Sequence, residues 1–122
     1  MARAVDLDPA TPMRAQFQEE AGPVVLMNTF FVPRERTEEF LGLWRDDAAF
    51  MKAQPGCVSI QLHQGTAGSQ LLVNLAVWES SAALAAAHAD PAFRRLSGRL
   101  PADIVAHPHL FTTVAVPGIC VS

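Results

Sequence analysis

The run Leu71-Leu72-Val73-Asn74-Leu75-Ala76-Val77-Trp78 constrains this chain more than any other stretch. Strand side chains alternate, so Leu72, Asn74, Ala76 and Trp78 share one face while Leu71, Val73, Leu75 and Val77 share the other. Both faces are apolar and both need cover. The exception is Asn74, whose amide, left unmatched in an apolar layer, costs about 1–3 kcal/mol. Backbone, water or a ligand has to answer it. Trp78 lies about 13 Å further along the strand and supplies an aromatic wall with one N–H at its edge.

The flanking sequence arranges this strand in a simple order. Val24 to Val32 is a β-rich run closed by Pro33, and Glu35 to Gln54 carries Phe40, Trp44, Ala48 and Met51 at helical spacing. Glu35, Glu38 and Glu39 sit in its first turns, where the helix dipole favours them, and Gln54-Pro55-Gly56 ends it. Cys57 to Gln64 and Gln70 to Glu79 form a hairpin across Gly65-Thr66-Ala67-Gly68-Ser69. Ser80 and Ser81 are caps for an alanine-rich helix, Ala82 to Ala89; Asp90-Pro91 restarts it to about Leu100, with Asp as cap and Pro in the first turn. Pro101 to Pro108 reads as a loop and His109 to Val116 as the last strand. Residues 1–22, with Pro9 and Pro12 among charges, show no sustained period and read as a tail; residues 23–118 form the domain and 119–122 a short C-terminal tail.

The expected fold is therefore α+β, a ferredoxin-like βαββαβ unit with a four-stranded antiparallel sheet and both helices on one face. The opposite face is left bare, and its residues are apolar. A monomer would expose more apolar surface than soluble monomers tolerate, so sheet-to-sheet homodimerisation is expected.

Bulk properties exclude several classes. At 122 residues the chain is one domain, able to bury around two-thirds of its unfolded surface. Half the residues are apolar, net charge is −3 and no basic run occurs, which argues against a nucleic-acid partner. No apolar stretch approaches the ~20 residues that span a bilayer, so no membrane partner is expected. Charges stand where a signal peptide needs an apolar core, which points to the cytoplasm. Cys57 and Cys120, the only cysteines, read as reduced thiols.

Three local patterns carry a family likeness: Ala53-Gln54-Pro55-Gly56 before a strand, Val73-Asn74-Leu75-Ala76-Val77-Trp78-Glu79-Ser80, and Pro91-Ala92-Phe93 in the second helical region. With the element order, they make the chain resemble the antibiotic biosynthesis monooxygenase family over about residues 24–116. The resemblance implies a dimeric α/β barrel. Asn-x-x-x-Trp on the third strand looks like the signature of cofactor-free oxygenases that convert anthrone-type aromatic polyketides to quinones, and Asn74 and Trp78 match it as the implied catalytic pair. Such a substrate loses a proton to give an enolate that reduces O2 without metal or flavin. The protein's tasks are to desolvate a flat ring, steady the enolate oxygen and protonate a peroxide. Candidate substrate contacts are Asn28, Trp44, His63, Leu72 and Phe93.

The chain departs from that pattern in one respect. It has no tyrosine, so the tyrosine that some of these oxygenases use as a proton donor has no counterpart, and a relay falls to His63, His88, a carboxylate, water or the substrate. Alternation puts His63 with Cys57, Ser59 and Gln61, where a surface imidazole is the plainer reading; His88 equally reads as a helix C-terminal dipole partner. His107-Pro108-His109 resembles a metal pair without an acidic or thiol neighbour, so no metal is expected. Haem-degrading relatives need an axial histidine four residues after Phe93, where this chain has Ser97. The expected cofactor is none, with O2 as co-substrate and a small aromatic as substrate. A polyketide cyclase, a small quinol monooxygenase and a non-catalytic dimeric ligand-binding module remain alternatives. The alanine run fits either tight packing on the sheet or space for a planar ligand.

Overall fold

A computed structural model describes residues 1–122. Five strands, β1 (Arg3–Ala4), β2 (Val24–Phe31), β3 (Cys57–Gln64), β4 (Leu71–Trp78) and β5 (Val105–Phe111), form one sheet in the order β1-β5-β2-β4-β3. Without β1 this is the antiparallel ferredoxin-like order, and α2 (Thr37–Lys52), α3 (Ser81–Ala89) and α4 (Pro91–Ser97) complete the α+β unit. Helix α1 (Met13–Gln18) precedes it.

Local chemistry sets these elements much as the sequence suggests. Gly56, at φ +90°, turns the chain out of α2 in a conformation that disfavours other residues. The Ser80 hydroxyl accepts from the Ala83 N–H at 3.1 Å and caps α3; the Asp90 carboxylate accepts from the Ala92 N–H at 2.8 Å and caps α4, with Pro91 in its first turn. Ser81 does something else. Buried, it donates to the Glu19 carbonyl and accepts from the Ala21 N–H, tying the N-terminal segment to α3.

Three expectations are corrected. Residues 1–22 are not a featureless tail: β1 runs parallel to β5, with Arg3 and Val5 N–H groups donating to the Ile104 and Ala106 carbonyls, and α1 is held by Gln16. That side chain donates to the Thr11 carbonyl and to His109 Nδ1 and accepts from the Leu110 N–H. A six-residue helix is too short for periodicity to reveal. The last strand is Val105–Phe111 instead of His109 to Val116, because β2 supplies partners only from Phe31↔Val105 to Val25↔Phe111. Pro108 is tolerated there because the even-numbered residues of β5 turn their backbone groups outward, where β1 has already ended. Finally, a bulge between Cys57 and Ser59 separates Cys57 from the face that carries Ser59, Gln61 and His63.

The sheet has two unlike faces. Met27, Phe31 and Leu71 lie on the face without helices and are 37%, 39% and 47% exposed. On the helical face the core is split. One cluster gathers Phe30, Val32, Phe40, Leu72, Leu100, Ile104 and Ala106; the other holds Val24, Ala76, Trp78, Leu84 and Ala87. Between the clusters the interior is hollow.

Candidate active site

Cross-strand register explains where the hollow falls. Along β2 and β4 the paired residues on the helical face are Val24↔Trp78, Leu26↔Ala76, Asn28↔Asn74 and Phe30↔Leu72. The outer pairs belong to the two core clusters, and the middle of the ladder is an asparagine facing an asparagine. Residues directly opposite on antiparallel strands hold their Cβ atoms about 4.5–5.5 Å apart, so the two carboxamides are neighbours. Each has a buried Oδ1 without a hydrogen-bond partner. They open onto a cavity of about 470 Å³, within the roughly 300–1,000 Å³ that holds drug-sized ligands.

The cavity's other walls come from every layer. Trp78 closes one end, Trp44, Asp47, Ala48 and Met51 line it from α2, and Leu84, His88 and Phe93 line it from α3 and α4. Met13 and Phe17 of α1, with Ala2, Ala4 and Asp6, cover it from the N-terminal segment. An aromatic series fixes this side: ring centroids are 5.3 Å apart for Phe17 and His88, 5.5 Å for His88 and Phe93, and 6.2 Å for Phe93 and Phe50. His88 still reaches solvent at the cavity rim, and partial desolvation against these rings, with the nearby Arg94 charge, shifts its imidazole downward.

The cavity thus brings together Asn74, Trp78, Asn28, Trp44 and Phe93. It leaves out two expected substrate contacts. Leu72 shares Asn74's face but is packed in the far core cluster, and His63, paired with Val73, is exposed on the face away from the helices. Trp78 is 1% exposed, so it is core as well as wall. His107 and His109 lie on β5, and no three His, Cys, Asp or Glu side chains converge in a metal-binding arrangement.

Asp47 is the functional candidate that the sequence reading missed. It is 8% exposed, lines the cavity and has an Oδ1 without a hydrogen-bond partner. Burial pushes its carboxyl up to about 6, against the opposing charge of Arg99 and with a small contribution from Asp46. Its signal was present: Asp47 stands three residues after Trp44 and four before Met51, on the same helical stripe. An acid at such a position is not placed there by solvation.

A ferredoxin-like sheet roofed by helices over an apolar cavity with a few inward polar groups is the architecture of a small-molecule site. The family model for antibiotic biosynthesis monooxygenases matches residues 23–98, and the chain belongs to that family. Among solved structures, SnoaB, a cofactor-independent oxygenase from Streptomyces nogalater, is 31% identical, with a TM-score of 0.72 over 80% of this chain and 99% of that one. A protein of Shewanella loihica PV-4, provisionally named a monooxygenase, is 33% identical, with a TM-score of 0.64 over 78% and 97% of the two chains. Rv0793 from Mycobacterium tuberculosis, 17% identical with a TM-score of 0.63 over 79% and 99%, shares the fold. No curated protein sequence matches the chain.

Proposed function

We propose that the protein is a cofactor-independent monooxygenase that oxidises an anthrone- or polyphenol-type aromatic to a quinone with O2. The observation that carries this is the Asn28–Asn74 pair: two unpartnered carboxamides side by side at the centre of an apolar cavity walled by Trp44, Trp78 and Phe93. A flat aromatic supplies apolar area for those walls and an oxygen for the amides. As its acidic C–H ionises, negative charge grows on that oxygen, and the amide N–H groups that Asn28 and Asn74 bring to the cavity can donate to it, in hydrogen bonds that strengthen as the charge grows. The enolate then delivers electrons to O2. The substrate loses two hydrogens and gains one oxygen; the second oxygen atom leaves as water. The likeness to SnoaB supports chemistry without a cofactor.

The test is oxygen uptake by metal-stripped protein given anthrone. We expect one O2 consumed per quinone formed. Uptake that appears only after addition of a metal or a flavin overturns the cofactor-free reading, and no uptake by the purified chain overturns the oxygenase reading. The same proposal includes a homodimer, because the helix-free sheet face carries Met27, Phe31 and Leu71 in the open. Light scattering checks it, and a monodisperse monomer at micromolar concentration refutes it.

A further inference from the structure

A buried carboxyl is ordinarily tied to a cation or to several donors, since desolvating it alone is costly. Asp47 is tied to neither at Oδ1. Arg99, the cation whose charge acts on it, is committed elsewhere: its Nη2 donates to Asp46 Oδ2 at 3.2 Å. Asp46 sits on the outer side of α2 in that ion pair, while Asp47, one residue on, is turned into the cavity. The other titratable or charged side chains lining the cavity are Asp6 from the N-terminal segment, His88 from α3 and Arg94 from α4. With no tyrosine in the chain, Asp47 is the most deeply buried ionisable group on the cavity wall.

We propose that Asp47 is the general base of the reaction, its carboxylate taking the acidic C–H proton of the bound aromatic; this rests on the oxygenase reading above. The C–H bond breaks, the proton moves to a carboxylate oxygen of Asp47, and the electron pair stays on the ring as an enolate. Electron transfer to O2 and carbon–oxygen bond formation give a peroxide anion, which takes the proton back from Asp47. The Asp47 carboxylate, ionised again, takes the remaining C–H proton as the O–O bond breaks and passes it to the departing hydroxide, so the distal oxygen leaves as water and the quinone carbonyl remains. One carboxyl thereby serves every proton transfer and ends ionised. The two asparagines on the opposite wall hold the oxygen, so base and oxyanion donors address the substrate from α2 and from the sheet. A base works best when its pKa lies near the working pH, which burial arranges for Asp47.

Two readouts separate this role from the oxygenase reading. The first is anaerobic: anthrone in D2O exchanges its acidic C–H for deuterium, followed by NMR, and needs no O2. Wild-type protein is expected to accelerate the exchange and Asp47→Asn to lose about 10²–10⁴-fold of that acceleration. The second is oxygen uptake against pH. The wild-type rate should rise as pH passes through about 6, the Asp47→Asn profile should lose that limb with KM little changed, and Asp47→Glu should keep it. Deuterium exchange by wild-type and its loss in Asp47→Asn, without any oxygen uptake, would overturn the oxygenase reading and leave the base assigned. Oxygen uptake and deuterium exchange that persist unchanged in Asp47→Asn overturn the base.

Discussion

Asp47→Asn should make the protein more stable above pH 6 even as it removes the proposed base. The side chain keeps its shape and loses its charge. In the native protein the carboxyl ionises near 6, against 3.8 for the ordinary group. Because the folded value is the higher one, the unfolded chain releases this proton first, and the stability Asp47 contributes is complete below pH 3.8 and lost as pH rises through about 6. The full difference is at most about 3 kcal/mol at 1.36 kcal/mol per unit, and water entering the cavity reduces it. An asparagine has no such dependence. The variant should match wild-type closely at pH 4 and gain about 1–3 kcal/mol by pH 8. For a chain of this length, that is roughly 3–6 °C in Tm per kcal/mol. Paired thermal or urea unfolding of the two proteins at pH 4, 5, 6, 7 and 8 reads the gap directly, and other titrating groups cancel in the difference. A gap that stays flat across this range, or a variant less stable than wild-type at pH 8, means that Asp47 is satisfied in the fold, and the reasoning about a strained buried carboxyl is wrong.

Asn74→Ala, which removes one of the two amides proposed to steady the enolate oxygen, should lower kcat by about 10- to 1,000-fold with a smaller change in KM; full turnover by this variant would remove Asn74 from the mechanism. Trp78→Phe should fold and keep most activity, whereas Trp78→Ala should lose about 3–5 kcal/mol of stability in denaturant titrations, because Trp78 is buried core as well as wall. Gln16→Ala removes the clamp between α1 and β5; faster amide exchange across residues 13–18 and a several-fold rise in KM at unchanged kcat are expected, and an unchanged KM would show that α1 does not help close the cavity.

What the sequence disclosed and what it concealed divide along physical lines. Long amphipathic and alternating runs carry their own period, so β2, β3, β4, α2 and the capped pair α3 and α4 were legible within a residue or two at most ends. β5 was not, because Pro101 and Pro108 mimic a loop, and only its pairing to Phe31 through Val25 shows that Pro108 points its missing N–H off the sheet. The bulge at Cys57 was equally invisible. Alternation read through it puts Cys57 with His63, while the fold puts Cys57 against the inner cluster and His63 outside. Asn74, Trp78, Asn28, Trp44 and Phe93, which the fold brings together, were legible because strand and helix periods alone put them on inward faces. Leu72 misled because sharing a face is weaker than sharing a cavity: one pair further along the ladder, the same face is solid core.

Asp47 is the sharper lesson, because the same period that marks Trp44 and Met51 as inward marks it too. A search for apolar residues at helical spacing passes over an acid on that stripe, although the acid is the more informative residue. An apolar side chain there needs no reason beyond burial; a carboxyl there costs stability unless something offsets it. The structure offers it no partner at Oδ1, and the two asparagines across the cavity share that condition. Three unmatched polar groups on one cavity wall system would each be removed at little cost by a leucine or an alanine if packing were their purpose. Their convergence on a single space is what supports reading that space as a ligand site instead of leftover packing.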